Sequence, residues 1–561
     1  MNSLITKPGV HILILLGAIA SFVFFQFFYP YHLFYQEQNQ LFLFSWDYIT
    51  TYLDKPGWLA CLTGDFLTQF YYYRYAGPTI LTLSILMAGY NVRCGVEDAD
   101  IKGTWIPYTI AIAVMTMLVC FSLHYDYRLS SIIAIAGGAN VFRFSTKILV
   151  STRMYIKKLE NLAGRHTSID GTRLPQWITS VSIFISMLVC HWFFGCGMWI
   201  YAALVLLGCI KYINKPGNYT RLAAIAIPLF TIILCKRLYF VDFHTLYTHP
   251  GLGKLVKPQM DLEKTLAADC EYYFGNYNTV VNMVEKDKEP NLYMKFYYNL
   301  VSAQGRSLPA VLLKYPNNYL GTFETLGPDT PPLTIKTINE LYWILGDMTF
   351  CERAAILANV CSPENRNIRM MKRLAEINLV KGDYDAARKY LRILQKTFVW
   401  SRWANRAFDA LGRKASSYDK ALLQQYIDKR PYLNTRDTLR LNDNCHTIMS
   451  ELMESNPNNN IAVNYMLCSD LLLKDMETFK HDYDAYYLKQ QNVTYEKLYQ
   501  EALAIYLAGT KAPPAEWAKY IKRQDVLQRF KLYNEQRGNP AFKDTYWYYF
   551  DKAEAPKLNN N

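Results

Sequence analysis

RLAAIAIPLFTIILCKRLYF, at Arg221–Phe240, is the stretch that decides how the chain reads. It is the last segment apolar enough to cross a bilayer, at roughly 20 residues per helical crossing. Before it, apolar blocks alternate with short polar connections; after it come about 320 residues whose apolar positions recur in short runs at helical spacing. The expected fold is all-α. A polytopic transmembrane helical domain of about seven spans occupies residues 1–243, followed by a linker at 244–260, a helical-repeat domain at 261–552 and a disordered tail at 553–561.

Composition agrees with two halves of opposite character. The chain has 561 residues, too many for one compact core, and its 51% hydrophobic content averages an apolar front and a polar back. The formal charge of +13 forms no stripe with a nucleic-acid-binding motif, so no nucleic-acid partner is expected. Many of the basic residues lie between apolar blocks, where they set membrane orientation. The 45 tyrosines suit membrane-interface belts and helical packing. Twelve cysteines include no C-x-x-C pair, so buried free thiols are expected, with a disulfide between helices of the second half the alternative.

The first span is expected over Val10–Phe28. Lys7 and Ala18-Ile19-Ala20 resemble a signal peptide, but the apolar run continues to Phe28 and argues for an uncleaved anchor. In the loop at 29–77, Leu41, Phe44, Tyr48 and Tyr52 predict one amphipathic helix. Leu59, Leu62, Phe66 and Phe70 predict a second, with Lys55-Pro56-Gly57 as the break. Such helices lie on the membrane surface or pack under other spans. Later spans are expected at Pro78–Tyr90, Trp105–Leu123, Leu129–Val150 (ended by Arg143 and Lys147), Trp177–Phe194, Met198–Ile213 and Arg221–Phe240. With an odd number of crossings, Lys7, Arg93, Lys102, Arg153, Lys157 and Lys211 share the cytoplasmic side of an inner membrane, and the second half lies outside the cytoplasm.

Self-similarity organises that second half. Gly346-Asp347 and Gly382-Asp383 each separate two helical runs, and their interval, 382 − 346 = 36, is close to a tetratricopeptide period. Gly275 lies two such periods earlier, at 346 − 275 = 71. The unit around Gly382 resembles the tetratricopeptide family in Leu374, Ala375, Ala387 and Leu391, and departs from it at Asn378 and Leu394. About five or six hairpins between Asp261 and Lys489, then helices near Tyr495–Ala508 and Ala515–Gln536, would stack into an α-solenoid. Such a surface is expected to bind a protein or glycan partner.

Signatures of catalysis are sparse. Gly251-Leu252-Gly253-Lys254 is neither a P-loop nor a dinucleotide fingerprint, and no two histidines share ligand spacing on one helix. One constellation stands out: Glu37 in YQEQNQLFLFSWDY, shortly after the first span, ahead of two surface helices. That layout resembles GT-C-type glycosyltransferases, which use lipid-linked sugars. The resemblance implies Glu37 and Asp126 of HYDYR as active-site acids, Arg128, Lys236 and Arg237 as lipid-phosphate contacts, and a divalent metal in that reading alone. Only one carboxylate stands in Glu37-Gln38-Asn39, where that family commonly pairs two. Finally, PGWLACLTGDFLTQFYYYRYAG, NPNNNIAVNYMLCSDLLLKD and TYWYYF resemble a family of bacterial multi-pass membrane proteins defined by a domain of unknown function. The expected function is presentation of a repeat domain outside the cytoplasm to a protein or glycan partner, with the transferase as alternative.

Overall fold

A computed structural model describes residues 7–99, 105–162, 176–210, 222–230, 257–305, 307–322, 326, 330–362, 365–412, 415–434, 445–491 and 493–555. The described residues are helical and contain no strand. The chain divides into two compact units: Met1–Met260 with Lys396–Val399, and Asp261–Gln395 with Trp400–Asn561.

In the first unit, α1 (Lys7–Val23) runs on through a π-turn at Phe24–Phe28. Three helical stretches are long and apolar enough to cross a membrane: Gly9–Phe28, Ala76–Asp98 and Leu129–Thr152. Along α1, Ile12, Leu13, Leu15 and Leu16 are each more than half exposed, as lipid-facing side chains are. The loop that follows holds three α-helices: α2 (Tyr31–Gln38), α3 (Trp46–Leu53) and α4 (Trp58–Thr68). Leu41 and Phe44, expected within a helix, precede α3. Then come α5 (Ala76–Asp98), α6 (Ile106–Phe121), α7 (Leu129–Leu162), α8 (Gln176–Phe194), α9 (Gly197–Ile210) and α10 (residues 222–230).

The expected second span is thus longer than Pro78–Tyr90. The third, 16 residues in α6, rises only about 24 Å against a hydrocarbon core of about 30 Å. Arg143 lies within α7, which runs on to Leu162; its guanidinium donates to Asn91 Oδ1 (3.2 Å) and pairs with Asp98 (3.5 Å). Most of the seventh expected span, with Lys236 and Arg237, and nearly all of the linker at 244–260 lie outside the described residues; so does the tail beyond 555.

Helix α4 is packed under the others. A Cβ added to Gly64 would meet the Ser130 backbone of α7 at 2.7 Å, and the Gly57 N–H donates to the Trp192 carbonyl at 2.8 Å. The α7–α9 crossing is closer still, with Gly138 facing the Gly197 carbonyl.

The second unit begins with α11 (Met260–Tyr273), α12 (Tyr277–Lys286), α13 (Leu292–Gly305) and the short α14 (Leu308–Val311). Helical pairs follow: α15 (Pro332–Leu345) with α16 (Met348–Val360), α17 (Ile368–Lys381) with α18 (Tyr384–Leu394), and α19 (Ser401–Ala410) with α20 (Ser417–Ile427). One device makes the turns. Gly346 and Gly382 close their helices in the left-handed conformation, at φ +89° and +81°. The aspartate that follows each caps the next helix, Asp347 accepting from Phe350 N–H and Asp383 from Ala386 N–H. Lys474 and Asp475 repeat it between α22 (Asn460–Leu473) and α23 (Met476–Ala485), which α21 (Cys445–Ser455) precedes. The unit closes with α24 (Lys497–Gly509), α25 (Pro514–Tyr520), α26 (Gln524–Glu535) and α27 (Tyr546–Lys552). The helix expected over Ala515–Gln536 breaks at Ile521–Arg523, where Gln500 Oε1 accepts from the Lys522 and Arg523 N–H groups. The nine cysteines whose side chains are described are all free thiols.

Helices α21, α22 and α23 enclose an acidic group that sets a pH dependence. Burial, with Asp482 and Asp475 nearby, pushes the Asp470 carboxyl up to about 8, against the opposing influence of His446. The Asp482 carboxylate, hydrogen-bonded to His446 at 2.6 Å, raises that imidazole. Both folded-state values lie above the unfolded ones, so the folded state binds the extra protons. The stability they contribute is full below about pH 4 for Asp470, and is lost as pH rises through about 8. The thermal midpoint of the full chain should therefore fall between pH 5 and pH 9. In Asp470→Asn that fall should shrink by several degrees, measured by circular dichroism in detergent. An unchanged pH profile in the variant would refute the assignment.

Candidate functional site: a charged aromatic cleft

Arg369, Lys372, Arg373 and Glu376 stand at i, i+3, i+4 and i+7 on α17, hence on one face. Arg369 is 1% exposed. Its two terminal nitrogens donate to both Asp269 oxygens on α11, at 2.7 and 2.9 Å, and to Glu340 Oε1 on α15 at 2.9 Å. Arg373 donates to Glu340 Oε2 at 2.6 Å, and Lys372 to Glu376 Oε1 at 2.6 Å. Helices α11, α15 and α17, each the first of a hairpin, are thereby tied by one ion network. The acids share a register: Asp269, Glu340 and Glu376 each stand six residues before a turn glycine, at Gly275, Gly346 and Gly382.

Aromatic rings line the cations. Arg369 lies 4.5 Å from the Tyr273 centroid and Arg373 4.3 Å from that of Trp343. Lys372 lies 4.6 Å from the Trp400 ring and 5.1 Å from that of Trp403. Tyr272, Tyr273, Tyr277, Gln304, Trp343 and Glu340, with the four charged side chains of α17, line a cleft of about 170 Å³. Burial works to raise the Asp269 carboxyl, yet Arg369 holds it below the ordinary carboxylate range. Glu376 is held down likewise by Lys372 and Arg373. Carboxylates fixed in the charged form by buried cations are poor general acids or bases near neutrality.

In the first unit, the structure brings together the elements that carry two of the expected acids. Gln36 Nε2 on α2 donates to the carbonyls of Tyr125 (3.0 Å) and Tyr127 (3.1 Å), and the Tyr35 and Tyr125 rings meet at 5.7 Å. Glu37 is buried on α2, whereas Asp126 is solvent-exposed in the turn. Among the described residues, no group of three or more His, Cys, Asp or Glu is placed to hold a metal.

The sequence profile that matches this chain covers residues 5–553. The chain belongs to a family of unknown function, DUF6057. No curated protein and no solved structure matches it. The family match spans both units, so the membrane-competent helices and the residues of the cleft both fall within the matched range. The cleft was not anticipated from the sequence. Its signal was there in RMMKRLAE, Arg369–Glu376, where charged side chains fall on a helix face that repeat stacking must bury.

Proposed function

We propose that this DUF6057 chain is a multi-pass inner-membrane protein whose tetratricopeptide-like solenoid binds a protein or glycan partner outside the cytoplasm. The charged aromatic cleft carries this reading. A purely structural brace has no need to desolvate so many ions beside open ring faces, since apolar side chains of like volume would hold the helices as well. The basic residues flanking the apolar helices support a cytoplasmic amino terminus, and a reporter fused after Asn561 would report sidedness directly.

A second reading, the GT-C-like transferase, draws on one observation: Gln36 clamps the Glu37 helix to the Asp126 turn. Complementation of a deletion phenotype separates the two. Trp343→Leu should fail to restore growth at normal abundance, whereas Glu37→Gln should restore it. The reverse pattern would discard the binding reading in favour of the enzyme.

A further inference from the structure

Helix α3 has three different sides. Tyr48 and Tyr52 are buried against the protein: the Tyr48 hydroxyl donates to the Leu41 carbonyl at 2.7 Å and the Tyr52 hydroxyl to Asp65 Oδ2 at 2.7 Å, which fixes the helix against rolling. About a third of a turn round the axis stand Asp47, Thr51 and, at the C-cap, Asp54, all polar and exposed. The remaining side carries Trp46, Ile49 and Leu53. Trp46 is 74% exposed, the most of any tryptophan among the described residues, and Leu53 is exposed with it. An open apolar stripe thus runs beside an open acidic one.

The neighbouring helix ends indicate what covers the apolar stripe. Just past α1, Tyr29 Oη donates at 3.0 Å to the carbonyl of Leu123, just past α6. A Cβ on Gly77, at the start of α5, would lie 3.1 Å from Leu33 Cδ1. The ends of α1 and α6 and the start of α5 therefore meet at one level. Exposed aromatic rings surround it: Phe27 and Phe28 close the first apolar stretch, Tyr73 and Tyr75 lead into α5, and Trp192 and Trp199 flank the α8–α9 turn. Such rings gather where lipid meets water. Gly57, four residues after Leu53, donates to the Trp192 carbonyl, and α4 beyond it lies against Ser130 at the start of α7. The end of α3 is thereby held at the same level. A helix there with one open side apolar and the other acidic fits along the boundary.

Resting on the reading that the first unit crosses the membrane, we propose that α3 is an interfacial anchor, with Trp46, Ile49 and Leu53 among the upper acyl chains and Asp47, Thr51 and Asp54 in water. The two aspartates disfavour an anionic surface, so a zwitterionic bilayer is the probe. Tryptophan fluorescence of the full chain in phosphatidylcholine nanodiscs, with bromine on the upper acyl chains, tests this. The difference between wild type and Trp46→Phe isolates Trp46. Bromolipid should cut that difference by at least half, and aqueous iodide should leave it nearly unchanged. On the Trp46→Phe background, Leu53→Trp should be quenched by bromolipid and Asp47→Trp by iodide. Leu15→Trp on that background reports on α1 and should be quenched by bromolipid. Iodide quenching of Trp46, or equal bromolipid quenching at positions 47 and 53, would overturn the anchor. Protection of Trp46 from both quenchers would put protein on the stripe, a second copy or another chain, and overturn it likewise. If Leu15→Trp is quenched, the membrane-crossing reading survives either failure; if it too escapes bromolipid, both readings fall.

Discussion

Arg369→Leu should destabilise the second unit by about 3–5 kcal/mol, the cost of leaving buried carboxylates without their counter-ion. Asp269 is fully buried and Glu340 nearly so, and Arg369 bonds both. Leucine fills part of the volume and supplies no charge, so Asp269 must take up a proton or draw in water, while Glu340 is left with Arg373 alone. The thermal midpoint of the full chain in detergent, followed by circular dichroism, should fall by on the order of 10 °C. The double replacement Arg369→Leu, Asp269→Asn should recover much of the loss, because Glu340 keeps Arg373 as its partner and the Asp269 carboxylate is no longer stranded. A single variant as stable as the wild type would mean that the network does not hold α11, α15 and α17 together. The acids also set an acidic limit. Asp269 and Glu376 titrate below their unfolded values, so the stability they contribute is present above the ordinary carboxylate range and disappears as pH falls through their folded values.

Helical hairpins were legible wherever local chemistry alone makes the turn. A glycine that must adopt positive φ and an aspartate that caps the next helix are visible in Gly346-Asp347 and Gly382-Asp383, whatever the rest of the chain does. Lys474-Asp475 makes the same turn, with lysine at φ +61° in the glycine's place. Features that depend on distant partners were not legible. Helix α2 has no strong apolar period, and its side chains are buried by neighbours far along the chain, as Gln36 with Tyr125 and Tyr127 illustrates. For the cleft, the spacing of the turn glycines carries the hairpins, while the acid six residues ahead of each carries the register that brings Asp269, Glu340 and Glu376 to the cations of α17. Glu37 and Asp126 were found through position relative to the first apolar block, which locates elements without orienting their carboxylates.

In the first unit the largest effect is expected from a single methyl group. A Cβ on Gly138 of α7 would lie 2.0 Å from the Gly197 carbonyl oxygen, and one on Gly197 would lie 2.2 Å from the Ala134 carbonyl oxygen. Both obstacles are backbone, so no side chain can turn aside, and α7 and α9 must separate along their whole contact. Between helices in lipid, such close approach through small residues supplies much of the association, because lipid offers apolar groups as good a solvent as protein. Gly138→Ala should therefore cost at least about 3 kcal/mol, beyond ordinary overpacking. It should sharply reduce the yield of monodisperse protein extracted in mild detergent. Gly17→Ala is the matched control: the same methyl on α1 meets nothing within 4 Å, and it should leave yield and melting unchanged or slightly improved. If both variants extract and melt like the wild type, the backbones of α7 and α9 do not touch at Gly138, and the helical packing of this unit must be redrawn around that pair.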